Sequence, residues 1–421
     1  MRVTSAKIFE DRRTLSAYLA FGYLPFADRV HPFAVLEDWA PAPPKRETPR
    51  GTEPVIAGAV EALKGMAGPS APALPGTRHV VLLSGGFDSR AILGSLLEAA
   101  EPSSIIACTY GTPGSDEFDL AARVAKVAGV EHVPIDIRDT TWTTEELVES
   151  VRARAYPPSF AIGARLQNYR IYRRFGADCL FWDGFLGDSL TGSHLKSDPV
   201  AGDWTLALKA FAKSNLRVHG SLAPADFDPL AVLPTEPFCS ADVMAFDDQL
   251  DLAVRQACYI GNRRPSDHAT AAPFANQESW QFWLSVPRSL RRDQIVYKEA
   301  LAKAFPDLFA IPAAGGRGAL TAAWSRTRWT AARRRLSRAI NRRFGGRSRF
   351  ADPHHRIGEE MRVNASLRSV VAEAIADLES RGLIDWLSPS RIWADHLSET
   401  ADNTEAIRIL VSLEIALKAG S

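Results

Sequence analysis

"VVLLSGGFDSRAIL", residues 80–93, sets two glycines and an aspartate between two serines, directly after a run of apolar residues. The segment His79–Leu83 reads as a short buried strand, being apolar, largely β-branched and preceded by Pro75-Gly76. Arg90–Ala100 reads as a helix, with Ile92, Leu93, Leu96 and Leu97 on one face. Only small residues make the turn between them. A strand, a glycine turn and a helix start together aim backbone N–H groups outward at the positive end of a helix dipole. That geometry suits a phosphate.

A Gly-Gly pair alone is an ordinary strand-to-helix turn. This loop adds Ser84 and Ser89, whose hydroxyls can donate to phosphate oxygens, and Asp88. An acid beside an anion is repulsive unless a metal lies between them, so Asp88 implies Mg²⁺. No Lys follows the glycines, which separates the loop from a Walker motif.

Downstream, strands and helices alternate. Ser104–Gly111 and Glu131–Ile137 read as strands two and three, with a helix between them that Ser115 caps and Gly129 ends. Asp178–Gly184 reads as a fourth strand. This alternation predicts an α/β fold with a doubly wound parallel sheet. Beyond about residue 200 strand signals fade and helical periodicity prevails. The expected organisation is a lead-in and linker over 1–75, an α/β region over 76–200 and a mostly helical part over 201–421.

Ligands of such sheets bind beyond the carboxyl ends of the strands. The loop after the fourth strand, "DGFLGDSLTGSH" (Asp183–His194), therefore faces the same crevice as Ser84–Ser89. Asp188 opposite Asp88 would complete a metal site bridging a triphosphate. Taken alone, Asp188 also fits a helix N-cap.

The 421 residues are 46% hydrophobic and 24% charged, which is ordinary soluble composition, and no apolar run is long enough for a membrane span. Cys108, Cys179, Cys239 and Cys258 are scattered without metal-ligand spacing and read as free thiols. With no signal-like N-terminus, a cytoplasmic location is expected. Arg326–Arg349 holds ten arginines and no acid. It suits either a solvated helix and linker or contact with an anionic partner.

The two loops in this order resemble the synthetase domain of the asparagine synthetase superfamily, which includes β-lactam synthetases and lasso-peptide cyclases. "SGGFDS" is similar to that family's pyrophosphate loop, "TYGTPGSDEFDLAARVAKVAGVEH" to its next strand and helix, and "DGFLGD" to its second loop. "AAPFANQESWQFWLSVPRSLRR", "VYKEALAKAFPDLFAIP" and "AIRILVSLEIAL" are similar to its later helices. The resemblance runs from about residue 15 to 418 and is weakest over 195–260. It implies an ATP-pyrophosphatase type of fold and a ligase that joins a carboxylate to an amine or ammonia. ATP would first convert the carboxylate to an acyl-adenylate with release of pyrophosphate, and the amine would then displace AMP. It implies an ATP and pyrophosphate site at Leu83, Ser84, Gly85, Gly86, Asp88, Ser89, Thr109 and Gly184, with Asp88 and Asp188 on Mg²⁺.

Departures from the family pattern bear on the second half-reaction. Arg2 follows Met1 where glutamine-using members carry a nucleophilic Cys, so no glutaminase is expected and the nitrogen comes from elsewhere. Phe185 stands where asparagine synthetases have Glu and β-lactam synthetases Tyr, and a phenyl group takes no proton. A late family Lys is not evident in "IPAAGGRGAL". Asp183, Lys298 and Arg317 are the candidates for that step, although an arginine makes no base. The alternative is a catalytically degenerate homologue that binds nucleotide or a partner protein. Sulfur transfer to a tRNA base is disfavoured by the absence of a cysteine pair or zinc-type cluster.

Overall fold

The structure, a computed structural model, describes residues 6–25, 33–39, 51–70, 77–153, 162–196, 198–259, 268–313, 319–320 and 357–420. Arg317 and the arginine-rich stretch 326–349 lie outside the described residues.

Five strands form one wholly parallel sheet: β1 (Arg78–Leu82), β2 (Ile105–Gly111), β3 (Glu131–Asp136), β4 (Cys179–Trp182) and β5 (Thr270–Ala271). Their order is β3-β2-β1-β4-β5. The α/β reading therefore stands. The chain lays β2 and β3 on one side of β1 and then crosses to place β4 on the other. The switch point falls between β1 and β4, and a crevice opens beyond their carboxyl ends. In register, His79 faces Ile105 on one side and Leu180 on the other.

Side chains alternate along β1 and feed two cores. Val81 joins Ala107, Leu180 and Trp182 against α2 (Thr52–Gly65), α3 (Phe87–Ala99) and α4 (Asp116–Ala128). Val80 joins Ile106, Cys108 and Phe181 against Ile171 and Tyr172 of helix 162–175. Both faces are thus covered, as a parallel sheet requires.

The lead-in helix α1 (Arg12–Phe21) is buried continuously from Leu15 to Phe21. Leu15, Tyr18 and Leu19 pack into the core of the C-terminal helices, beside Ile407 and Leu410. Ala17, Ala20 and Phe21 face helix Trp204–Asn215 instead. A helix apolar all round finds partners on every side.

Three readings need correction. The fifth strand was not foreseen, because two residues give no periodic signal. Helix α3 begins at Phe87, not Arg90, with Gly86 as its cap residue, so Asp88 and Ser89 lie in its first turn. Ser115 occupies the cap position of α4 but its side chain makes no capping bond. The four cysteines are free, Cys108 being so buried that its thiol is pushed up to about 12. Among the described residues no helix is long and apolar enough to cross a membrane.

Candidate functional site

The first loop closes on itself. The Ser84 backbone N–H donates to Ser89 Oγ at 3.0 Å, the two hydroxyls lie 3.0 Å apart, and the Gly86 N–H donates to Ser84 Oγ at 3.1 Å. Leu83, just beneath, accepts the Thr109 hydroxyl proton on its carbonyl at 2.8 Å. That proton being committed, His132 Nε2 must donate to Thr109 Oγ1 across 3.1 Å. Thr109 thus braces the end of β1 from β2, and burial draws the His132 imidazole below its usual range.

Arg90 holds the loop from behind. Its guanidinium is fully buried and donates to the carbonyls of Gly85 at 2.9 Å, Ile311 at 2.8 Å and Pro312 at 2.8 Å. Burial pulls its pKa down to about 10, so it stays charged at neutral pH. Beside it, Gly94 lets α3 approach the ring of Phe305, since a Cβ there would lie 2.6 Å from Phe305 Cγ. Arg90 and Gly94 thus tie the loop and α3 to residues 305–312.

The second loop leaves β4 at Asp183, whose N–H donates to Ala271 on β5 at 3.0 Å. It then forms the short helix Gly187–Leu190. The cap residue is Leu186, with φ 72, so Asp188 is not the cap but the second helical residue, and it is exposed. Asp88 packs directly on this loop: a Cβ at Gly184 would lie 3.0 Å from Asp88 Cβ, and one at Gly187 only 2.3 Å from Asp88 Cγ. The two loops meet with no room for a side chain at Gly187. Phe185 is buried in the main core.

Two residues absent from the sequence reading complete the arrangement. The Tyr297 hydroxyl donates to Asp88 Oδ1 at 2.7 Å. Burial, then the charge of Asp88, holds that phenol well above its usual range, and the Asp188 charge adds to this. Gln294 Nε2 donates to Thr191 Oγ1 at 2.8 Å and approaches Asp188 Oδ1 at 3.4 Å. Thr191 Oγ1 in turn donates to the Gly187 carbonyl at 2.6 Å. Asp293 and Gln294 both take left-handed backbone conformations, φ 58 and 59, as does Leu186. Such conformations in non-glycine residues cluster where a site over-determines the backbone. Neighbouring Lys298 donates its ammonium to the Asp293 carbonyl. A third loop, after β2, carries two buried hydroxyl oxygens, Thr112 Oγ1 and Ser115 Oγ, that have no hydrogen-bond partner among the described residues.

Among the described residues no group of three or more His, Cys, Asp or Glu forms a metal cage. Mg²⁺ needs none, since it commonly binds one or two carboxylates plus phosphate oxygens and water. Asp88, in contact with Gly187, and Asp188, the residue after it, offer carboxylates of that kind.

A parallel sheet with a glycine-serine loop after β1, and an acid-bearing glycine loop after β4 at the switch point, defines an α/β module of the ATP-pyrophosphatase type. Residues 77–210 match the model of the asparagine synthase family, consistent with an asparagine synthetase-like domain over that stretch. ATP-dependent ligase-type chemistry goes with a domain of this kind. The chain is also similar, at 40% identity over 60 residues, to a 7-cyano-7-deazaguanine synthase of Archaeoglobus fulgidus. That stretch is 14% of this chain and 25% of the relative. A 7-cyano-7-deazaguanine synthase of Stenotrophomonas maltophilia is 41% identical over 61 residues, 14% of this chain and 28% of the relative. The chain thus spans about a quarter of the length of these relatives.

Proposed function

We propose that this protein activates a carboxylate with ATP as an acyl-adenylate, releasing pyrophosphate, and passes the acyl group to an amine or ammonia. The observation that carries the reading is the contact of Asp88 with Gly184 and Gly187, which unites the two loops in one site. A carboxylate oxygen is a poor leaving group, and adenylation divides one hard substitution into two easier ones.

The backbone N–H of Gly85, the start of α3, and the hydroxyls of Ser84 and Ser89 receive the departing pyrophosphate, with the Gly86 N–H available to it only by leaving Ser84 Oγ. Leu83 and Thr109 set the height of that cradle through their mutual hydrogen bond. Gly184, lacking a side chain, lets Asp88 and the first loop close against the place the adenylate would take. Asp88 and Asp188 would hold Mg²⁺, which neutralises charge developing on the phosphates when bound. Tyr297 keeps one oxygen of Asp88 hydrogen-bonded and so orients the other.

For the amine step the chain offers Asp183 at the mouth of β4, with Lys298 and Arg317 as the other candidates. Phe185 contributes no proton transfer. The amine therefore arrives deprotonated or relies on Asp183, and the adenylate step is the faster of the two.

Substrate-dependent exchange of labelled pyrophosphate into ATP, run across a panel of carboxylic acids, tests the reading without needing the amine. Exchange, with AMP as the nucleotide product once an amine is added, is expected. A loop without a Walker Lys does not direct attack to the γ-phosphorus. ADP as the main product would refute the mechanism.

A further inference from the structure

The far end of the second loop does not stop at the nucleotide crevice. His194 closes a cavity of about 230 Å³ whose other walls are helix Trp204–Asn215, Lys196, Arg217 and residues 247–255. This is the stretch in which the family resemblance is weakest. The cavity is strongly polar, and its acids are already engaged. Asp247 accepts Arg288 at 2.7 and 3.0 Å and the Lys196 backbone N–H at 2.8 Å. Asp251 accepts His194 Nδ1 at 3.0 Å and Arg255 at 3.3 Å.

Arg217 reaches Glu405 at 3.3 Å and the Tyr259 hydroxyl at 3.5 Å. Arg255 meets Asp251 and the His194 ring through one terminal nitrogen, and its buried Nε has no hydrogen-bond partner among the described residues. Among the described residues no carboxylate pairs with the Lys196 ammonium. Asp251–Gln256 is π-helical, a local widening common at functional sites, and it turns Asp251 and Arg255 together toward His194.

We propose that this cavity binds a small oxyanion-bearing molecule, held by Lys196, Arg217 and Arg255, with Asp251 and His194 fixing the Arg255 fork. Because the loop that lines it also carries Asp188, we assign it to recognition of an anionic group on the substrate. That assignment rests on the ligase reading, whereas the binding site itself does not. The shared chemistry is a carboxylate or a phosphoryl group, either of which a guanidinium fork and an ammonium bind well.

The test is calorimetric titration of the nucleotide-free protein with succinate and, separately, inorganic phosphate at constant ionic strength. The wild type is expected to bind at least one of them. A response to succinate alone identifies a carboxylate site, and one to phosphate alone a phosphoryl site. Lys196→Gln should weaken binding at least fivefold and Arg255→Gln at least tenfold. Arg255→Gln strips Asp251 of a partner, so Lys196→Gln, whose side chain bonds nothing among the described residues, keeps the test valid if the first variant misfolds. Three results overturn the proposal: no binding of either anion at millimolar concentration, equal affinity in Lys196→Gln and wild type, or loss of binding in Ser89→Ala, which would place the anion in the first loop. Nucleotide is absent throughout, so a failure of pyrophosphate exchange and a failure of anion binding are read separately.

Discussion

Replacing Gly187 by Ala is the sharpest test of whether the two loops form one site. Gly187 opens the short helix of the second loop with an ordinary helical backbone, so the new methyl group meets no conformational penalty. Helix propensity alone would favour Ala by about 0.8–1 kcal/mol. The methyl carbon would nevertheless stand 2.3 Å from Asp88 Cγ and 2.5 Å from Oδ2, against 3.4 Å or more in ordinary contact. Relief requires the loops to part, or Asp88 to swing, by about 1.1 Å. Either movement also disturbs the Tyr297 bond to Oδ1. A shift of this size in a group that positions a ligand costs on the order of 100-fold. Overall stability should change by less than about 1 kcal/mol, since Asp88 is only half-buried. The assay is ATP binding by titration calorimetry, in Mg²⁺ and in chelator, beside a urea unfolding curve. Mg²⁺-dependent affinity should fall about 10- to 100-fold with the unfolding midpoint nearly unmoved. A Gly187→Ala protein with wild-type Mg²⁺-dependent affinity would show that Asp88 does not act in the nucleotide site.

Arg90→Met keeps the stem but strands the carbonyls of Gly85, Ile311 and Pro312. It should cost about 3–5 kcal/mol in urea unfolding, and an unchanged midpoint would count against a bracing role. Tyr297→Phe removes the phenol's hydrogen bond to Asp88 Oδ1 and should weaken Mg²⁺-dependent ATP binding about tenfold, measured by the same titration. Asp251 is held down to about 2: burial opposes ionisation, but the hydrogen bond from His194, the His194 charge and the Arg255 charge outweigh it. Its folded value lies below the unfolded one. Asp251 therefore contributes about 2 kcal/mol above pH about 4 that is lost as pH falls toward 2. Asp251→Asn should flatten the acid limb of the stability profile, and an unaltered limb would remove Asp251 from the balance.

Legibility in the sequence followed the range of the contacts. The strand, turn and helix at 78–99 are set by neighbours within the same twenty residues, so apolar runs and glycine pairs revealed them. The second loop was legible for the same reason, and its place opposite the first followed from the parallel order of the strands. Tyr297 was not legible. It lies 209 residues from Asp88, and within "VYKEAL" it looks like one more apolar residue on the buried face of helix Ile295–Ala304. Arg90 was hidden in another way: an arginine on a helix is read as exposed, and only residues 308–312, more than two hundred positions on, give its guanidinium somewhere to bond.

The glycines of the second loop show why a local motif and a long-range site coincide here. Gly184 and Gly187 look like turn residues in isolation, yet neither has a positive φ. What forbids a side chain there is Asp88, arriving in the first turn of α3. The positive φ falls instead on Leu186, between them, where a glycine would be the easier residue. The backbone thus accepts strain at Leu186 and keeps glycine where the other loop must touch. A loop shaped only to leave a strand and enter a helix would place its glycine at the strained position. This one places its glycines at the contact with an acid, the arrangement that the proposed joint site of Asp88 and Asp188 requires.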